Sequence, residues 1–207
     1  MVKRAATTIL RKFFYAPKEP AEVIPSRLAY TFFEDGLLSK LSPLLISPDE
    51  ETRENAANVL ASTLLSISST IHTVPESQPA ILETIIDAGI LPNARAPVLP
   101  CSGSEGVDMT AEYMLTHLSG CALLIREGNE TQQIYAADQE CTETLCMFAR
   151  GLPSRGSFLD TLIADSFTSL LSGNLRQQAK ATILRTGGCK EWIEEAAEDP
   201  IVSDASA

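Results

Sequence analysis

Residues 33–67 read FEDGLLSKLSPLLISPDEETRENAANVLASTLLSI. Gly36 separates two helical runs, roughly Ser26 to Asp35 and Leu37 to Ile46, because glycine ends helices at no steric cost. Pro43 should kink the second run or confine it to a short piece. Ser47 to Glu50 then carries the marks of a helix start. Ser47 is placed to cap, Pro48 suits the first helical position, and Glu50 completes a Ser-x-x-Glu box. Asp49, Glu50 and Glu51 set negative charge against the positive end of the helix dipole. Beyond them Ala56, Val59, Leu60, Thr63, Leu64 and Ile67 recur with the 3.6-residue period. The stretch predicts two short helical pieces leading into one long helix, about Ser47 to Ser69.

Downstream, Gln78 to Ala88 reads as a helix stopped by Gly89. Leu91 to Gly106 holds Pro92, Pro97 and Pro100 and reads as a long loop. A helix from Asp108 to about Arg126 follows, and another runs unbroken from about Glu130 to Ala149, ending at Gly151. Ser157 can cap the next, through Leu159, Ile163, Phe167 and Leu170 to Gly173. Asn174 starts a helix to Arg185, stopped by Gly187 and Gly188, and a short last helix holds Trp192 and Ile193. No strand-like alternation occurs. The expected fold class is all-α, with about nine or ten helices joined mostly by short turns.

The order of residues 33–67 closely resembles an armadillo repeat. In that family a glycine ends a short first helix, a second helix carries leucines, and a long third helix begins after a Ser-Pro-Asp-type turn. Ile81 to Leu91 resembles a second such junction, and Leu159 to Gly188 a final unit entering the next repeat. The strong match covers residues 33–67 and the fainter echoes about half the chain. Gly36 to Gly89 spans 53 residues, longer than the family period of about 40. The resemblance implies an irregular, armadillo-like right-handed α-solenoid, in which each unit buries its apolar face against the next. Cargo-binding members carry a Trp-x-x-x-Asn ladder on the third helix. Here the matching positions are Asn58 and Ser62, and the tryptophan is missing, so that activity does not carry over. The alignment still places Asn55, Asn58 and Ser62 on a concave wall, opposite buried Val59, Leu60 and Leu64. A plain solvated face is the competing account of these three.

The 207 residues are 44% apolar and 21% charged, an ordinary globular composition. No run approaches the roughly 20 apolar residues that a membrane-spanning helix needs. The net charge of −11 is unevenly spread. Residues 1–18 hold Lys3, Arg4, Arg11, Lys12 and Lys18 and no acid, whereas residues 19–207 hold 11 basic and 27 acidic residues. So acidic a body repels phosphate backbones and attracts basic segments, although acidity also serves plain solubility. Met1 to Phe14 reads as a basic amphipathic helix, set off by Pro17, Pro20 and Pro25. It either packs on the body or serves as a mitochondrial presequence or membrane-surface helix. The chain divides into this segment (1–18), a helical domain (19–199) and a tail (200–207).

Catalytic chemistry finds little support. His72 and His117 are the only histidines, and neither neighbours a nucleophile elbow. His117 and Cys121 share a helix face, but the remaining ligands of a zinc site are not evident. Phosphate-cradling glycine motifs are missing. The five cysteines (Cys101, Cys121, Cys141, Cys146, Cys189) are odd in number and lie in apolar contexts. That pattern favours reduced thiols inside a cell. No catalytic residue, cofactor or metal is expected. The residues predict a non-enzymatic scaffold, cytoplasmic or nuclear, that binds a protein or peptide, with basic segments favoured and nucleic acid disfavoured. Asn55, Asn58 and Ser62 are the partner-binding candidates. Three alternatives stay open: a mitochondrial helical protein addressed by residues 1–15, a small all-helical enzyme with an unrecognised site, and a stub of a longer repeat array.

Overall fold

A computed structural model describes residues 26–73, 75–95, 111–151 and 158–198. The basic segment 1–18, the proline cluster, residues 96–106 of the expected loop, Cys101, Ser157 and the tail 200–207 lie outside them. Among the described residues there is no strand, and the chain is all-α. The helices are α1 (Ser26–Glu34), α2 (Leu37–Leu41), α3 (Glu50–Thr70), α4 (Gln78–Asp87), α5 (Ile90–Arg95), α6 (Ala111–Glu127), α7 (Glu130–Asp138), α8 (Cys141–Gly151), α9 (Phe158–Ser172), α10 (Arg176–Arg185) and α11 (Cys189–Glu198). Two 3-10 segments, Ser42–Ile46 and Ile71–Thr73, flank α3. The chain divides into two compact units, Met1–Gly120 and Cys121–Ala207.

One junction recurs. Gly36, Gly89, Glu140 and Gly188 all adopt positive φ, at 67°, 62°, 58° and 82°. Each follows a helix of nine or ten residues (α1, α4, α7, α10). Each also lends its carbonyl to the amide four residues on: Lys40, Asn93, Thr144 and Trp192, at 3.1–3.3 Å. In the first three the junction amide also donates to the carbonyl three residues back, in Phe33, Ile86 and Ala137, at 2.9–3.0 Å. The left-handed residue thus closes one helix and opens the next with a single backbone twist. In the first three cycles a longer helix (α3, α6, α9) follows the post-junction piece.

Glu140 is the unexpected member. The sequence predicts one helix over Glu130 to Ala149, and the chain breaks it here into α7 and α8. An Asn129–Gln132 capping box starts α7, and the buried Cys141 side chain begins α8. A glutamate in the left-handed region costs roughly 1–2 kcal/mol. Glu140→Gly is therefore expected to raise stability by roughly 0.5–1 kcal/mol, after allowing for glycine's looser unfolded chain. A thermal or urea midpoint that falls instead would show the strain is not there.

The start of α3 also differs from expectation. The cap is Asp49, not Ser47, and no Ser47–Glu50 box forms. Asp49 accepts from the Thr52 amide at 3.0 Å and from the Thr52 hydroxyl. Arg53 donates to the carbonyls of Ser47 and Pro48, at 2.8 and 3.2 Å. Those carbonyls would otherwise receive the first helical amides, so the charged donor holds the Ser-Pro turn outside the helix. The loop expected from Leu91 gives way to helix α5 as far as Arg95, with Ile90, Leu91 and Ala94 buried. Pro92 is accommodated because it sits in the first turn, where its missing N–H has no helical acceptor. Helix α10 begins at Arg176 behind Leu175, rather than at Asn174.

In the first unit, α3 packs against α1 and the 3-10 segment Ser42–Ile46, and α5 packs on that same segment. Asn93 Nδ2 donates to Ser42 Oγ at 3.0 Å, and Thr116 Oγ1 donates to the Ala57 carbonyl at 2.9 Å. In the second unit, α8 is the hub, touched by α7, α9, α10 and α11. Phe167 and Trp192 meet with ring centroids 6.1 Å apart. Cys121 is bonded to Cys141, and Cys146 to Cys189. These disulfides correct the expectation of reduced thiols. Neither the apolar context nor an odd count of cysteines reveals which sulfurs folding brings together.

Candidate functional site

Helix α3 carries the three residues singled out from the sequence. Its period puts Ala56, Val59, Leu60, Leu64 and Ile67 in the core at 0% exposure. Asn55 and Asn58 do not stand on an open wall: they are 1% and 4% exposed. Asn58 Nδ2 donates to the Glu54 carbonyl one turn back, at 3.0 Å. Ser62 is half-buried. The physical cause is enclosure. With α1, the 3-10 segment and Thr116 of α6 all against it, α3 buries its polar residues along with its apolar ones. Thr63, Ser66 and Ser68 are buried too, and Thr63 returns its hydroxyl to the Val59 carbonyl at 2.7 Å. Of the three candidates, Ser62 reaches solvent.

Beside the start of α3, Tyr113 is 5% exposed. Burial pushes its phenol up to about 12, while the Arg53 guanidinium pulls the other way. Burial likewise raises Tyr30 and Tyr135. A phenol whose folded value exceeds its unfolded one favours folding below the unfolded value, near 10, and loses that contribution as pH climbs toward 12. Tyr113→Phe is expected to flatten the fall in melting temperature between pH 10 and 12. An unchanged slope would place the phenol in water.

In the second unit, Arg126 lies 3.8 Å from Asp165 and 3.7 Å from Glu127, with its side chain 15% exposed. Arg185 pairs with Glu143 at 3.2 Å, well exposed and therefore of little weight for stability. Ile134, Met147 and Leu184 present apolar surface at 45%, 46% and 70% exposure. Among the described residues no group of three or more His, Cys, Asp or Glu side chains converges as a metal site. His117 is buried and His72 exposed. Cys121, once paired with His117 as a ligand candidate, is spent in a disulfide, as are Cys141 and Cys146. The sequence did hold one sign of the bonded cysteines: Cys189 directly follows a Gly-Gly helix stop, a seat that turns inward. No helix among the described residues is long and apolar enough to cross a membrane.

Compared with family models and with curated proteins, the chain matches none. Among solved structures it is similar to an engineered protein from a structural-genomics programme, at 19% identity and a TM-score of 0.51. That match covers 96% of this chain and 68% of the other. At this identity it is a likeness of fold alone.

Proposed function

We propose that this chain is a non-catalytic binding scaffold, an armadillo-like helical array that holds a protein or peptide partner against one face. The recurring junction carries the proposal. Intervals of 53, 51 and 48 residues separate Gly36, Gly89, Glu140 and Gly188, each with the same carbonyl wiring. Repetition of one supersecondary unit is the mark of arrays that bury their faces by stacking and keep a long surface for partners. An acidic body, with 11 basic and 27 acidic residues over positions 19–207, speeds encounter with lysine- and arginine-rich segments. Ser62 is the member of the original trio to test, since Asn55 and Asn58 are interior.

The full chain, immobilised, would be offered matched basic and acidic peptide pools at low and high salt. Basic peptides should be retained, with affinity falling as salt rises. Ser62→Arg should weaken that retention about fivefold, the effect of roughly 1 kcal/mol of repulsion. Ser69→Arg, exposed on the same helix, is the control. Equal capture of acidic and basic pools would sink the electrostatic part of the reading, and indifference to Ser62→Arg would sink the surface.

A further inference from the structure

Four cysteines of the second unit stand in two pairs, Cys121 with Cys141 and Cys146 with Cys189, each with Cα atoms 5.2 Å apart. All four are 0% exposed. Their placement follows the junctions. Cys141 and Cys189 each come directly after a left-handed residue, Glu140 and Gly188, in the seat that Leu37 and Ile90 hold in the first two cycles. Each bonds back to an earlier helix, Cys141 to α6 and Cys189 to α8. Helix α8 thus carries one sulfur of each bridge, and it is the hub of its unit. We infer that this chain matures by oxidation: the two bridges are permanent staples of the second unit, and the chain works where disulfides persist.

The chemistry balances through exchange with a small disulfide such as oxidised glutathione. One protein thiolate attacks a glutathione sulfur, forming a mixed disulfide and releasing one glutathione thiolate. The second protein thiolate then attacks the mixed disulfide at its own partner's sulfur, closing the bridge and releasing the other glutathione. Two protein thiols are oxidised, one external disulfide is reduced, and the two protons pass to the departing thiolates. Because the four sulfur-bearing side chains are enclosed, the closed bridges offer a reductant no point of attack in the folded state. This inference is independent of the binding proposal, and either can fail without the other.

The test maps bonds in the full chain taken from its native cells, with free thiols alkylated at lysis and digestion carried out without reductant. Linked peptides joining Cys121 to Cys141 and Cys146 to Cys189 are expected. Reduction under denaturing conditions, followed by refolding in reductant, should lower the melting temperature by at least about 10 °C. The double variant Cys146→Ala with Cys189→Ala removes one bridge without stranding either of its two sulfurs, and its melting point should lose about half of that reductant sensitivity. Alkylation of all four cysteines at lysis, or any other pairing, overturns the inference. So does a fully reduced and refolded chain that melts at the same temperature as the oxidised one. Should the double variant not fold, the bond map of the unaltered chain decides alone.

Discussion

Asn55→Arg is expected to destabilise the first unit strongly rather than weaken a docking surface. Asn55 is 1% exposed in α3, among Ala56, Val59 and Leu60 of the core, and helices close in around it. An arginine there must either bury an unpaired charge, at about 3–5 kcal/mol, or push its neighbours apart, at about 1–3 kcal/mol. A domain's whole stability is about 5–15 kcal/mol, so the change removes a large share of it. Urea unfolding of the full chain followed by circular dichroism reads the loss directly. Ser62→Arg, half-buried on the same helix, should cost less than about 1 kcal/mol. If the Asn55 variant melted like the unaltered chain, the side chain would reach water and the enclosure of α3 would be wrong. The comparison also tests the burial of Asn55 itself, because an exposed wall or solvated face tolerates charge and a core does not.

Leu60→Ala comes next in size. Leu60 is fully buried in the middle of α3, and deleting its branched end removes transfer energy and leaves a cavity. Such changes cost about 2–5 kcal/mol, which for a unit of this size lowers the melting temperature by roughly 5–30 °C. Leu184→Ala is the control, because Leu184 is 70% exposed in α10 and its removal should stay within about 0.5 kcal/mol. Similar losses at the two positions would mean that the burial pattern of α3 is not what stabilises the first unit.

Much of the architecture was legible beforehand, for local reasons. Gly36 and Gly89 announce the first two junctions, since φ values of 67° and 62° are cheap for glycine and dear for anything else. The periodicity of α3 foretells its buried apolar residues, because one turn of helix repeats every 3.6 residues whatever lies beside it. Other features were illegible for equally physical reasons. A cap shifted from Ser47 to Asp49 depends on Arg53 reaching back to the Ser47 and Pro48 carbonyls. Two cap-competent residues in one turn cannot be ranked by type. Helix α5 was hidden by prolines whose effect depends on where the helix starts: Pro92 is tolerated because Ile90 opens it.

From residue order alone came the helical class, the long α3 and the glycine-marked junctions, because each rests on backbone preferences acting within a few residues. Folding in three dimensions decided the rest. The pairing of Cys146 with Cys189 spans 43 residues, and the Thr116–Ala57 bond spans 59. The left-handed Glu140 has no local advantage to advertise it. Burial of Asn55 and Asn58 likewise depends on which helices arrive around α3. Separations of that length carry no local signal, since what meets across them is set by how the helices pack and by no preference of the residues themselves.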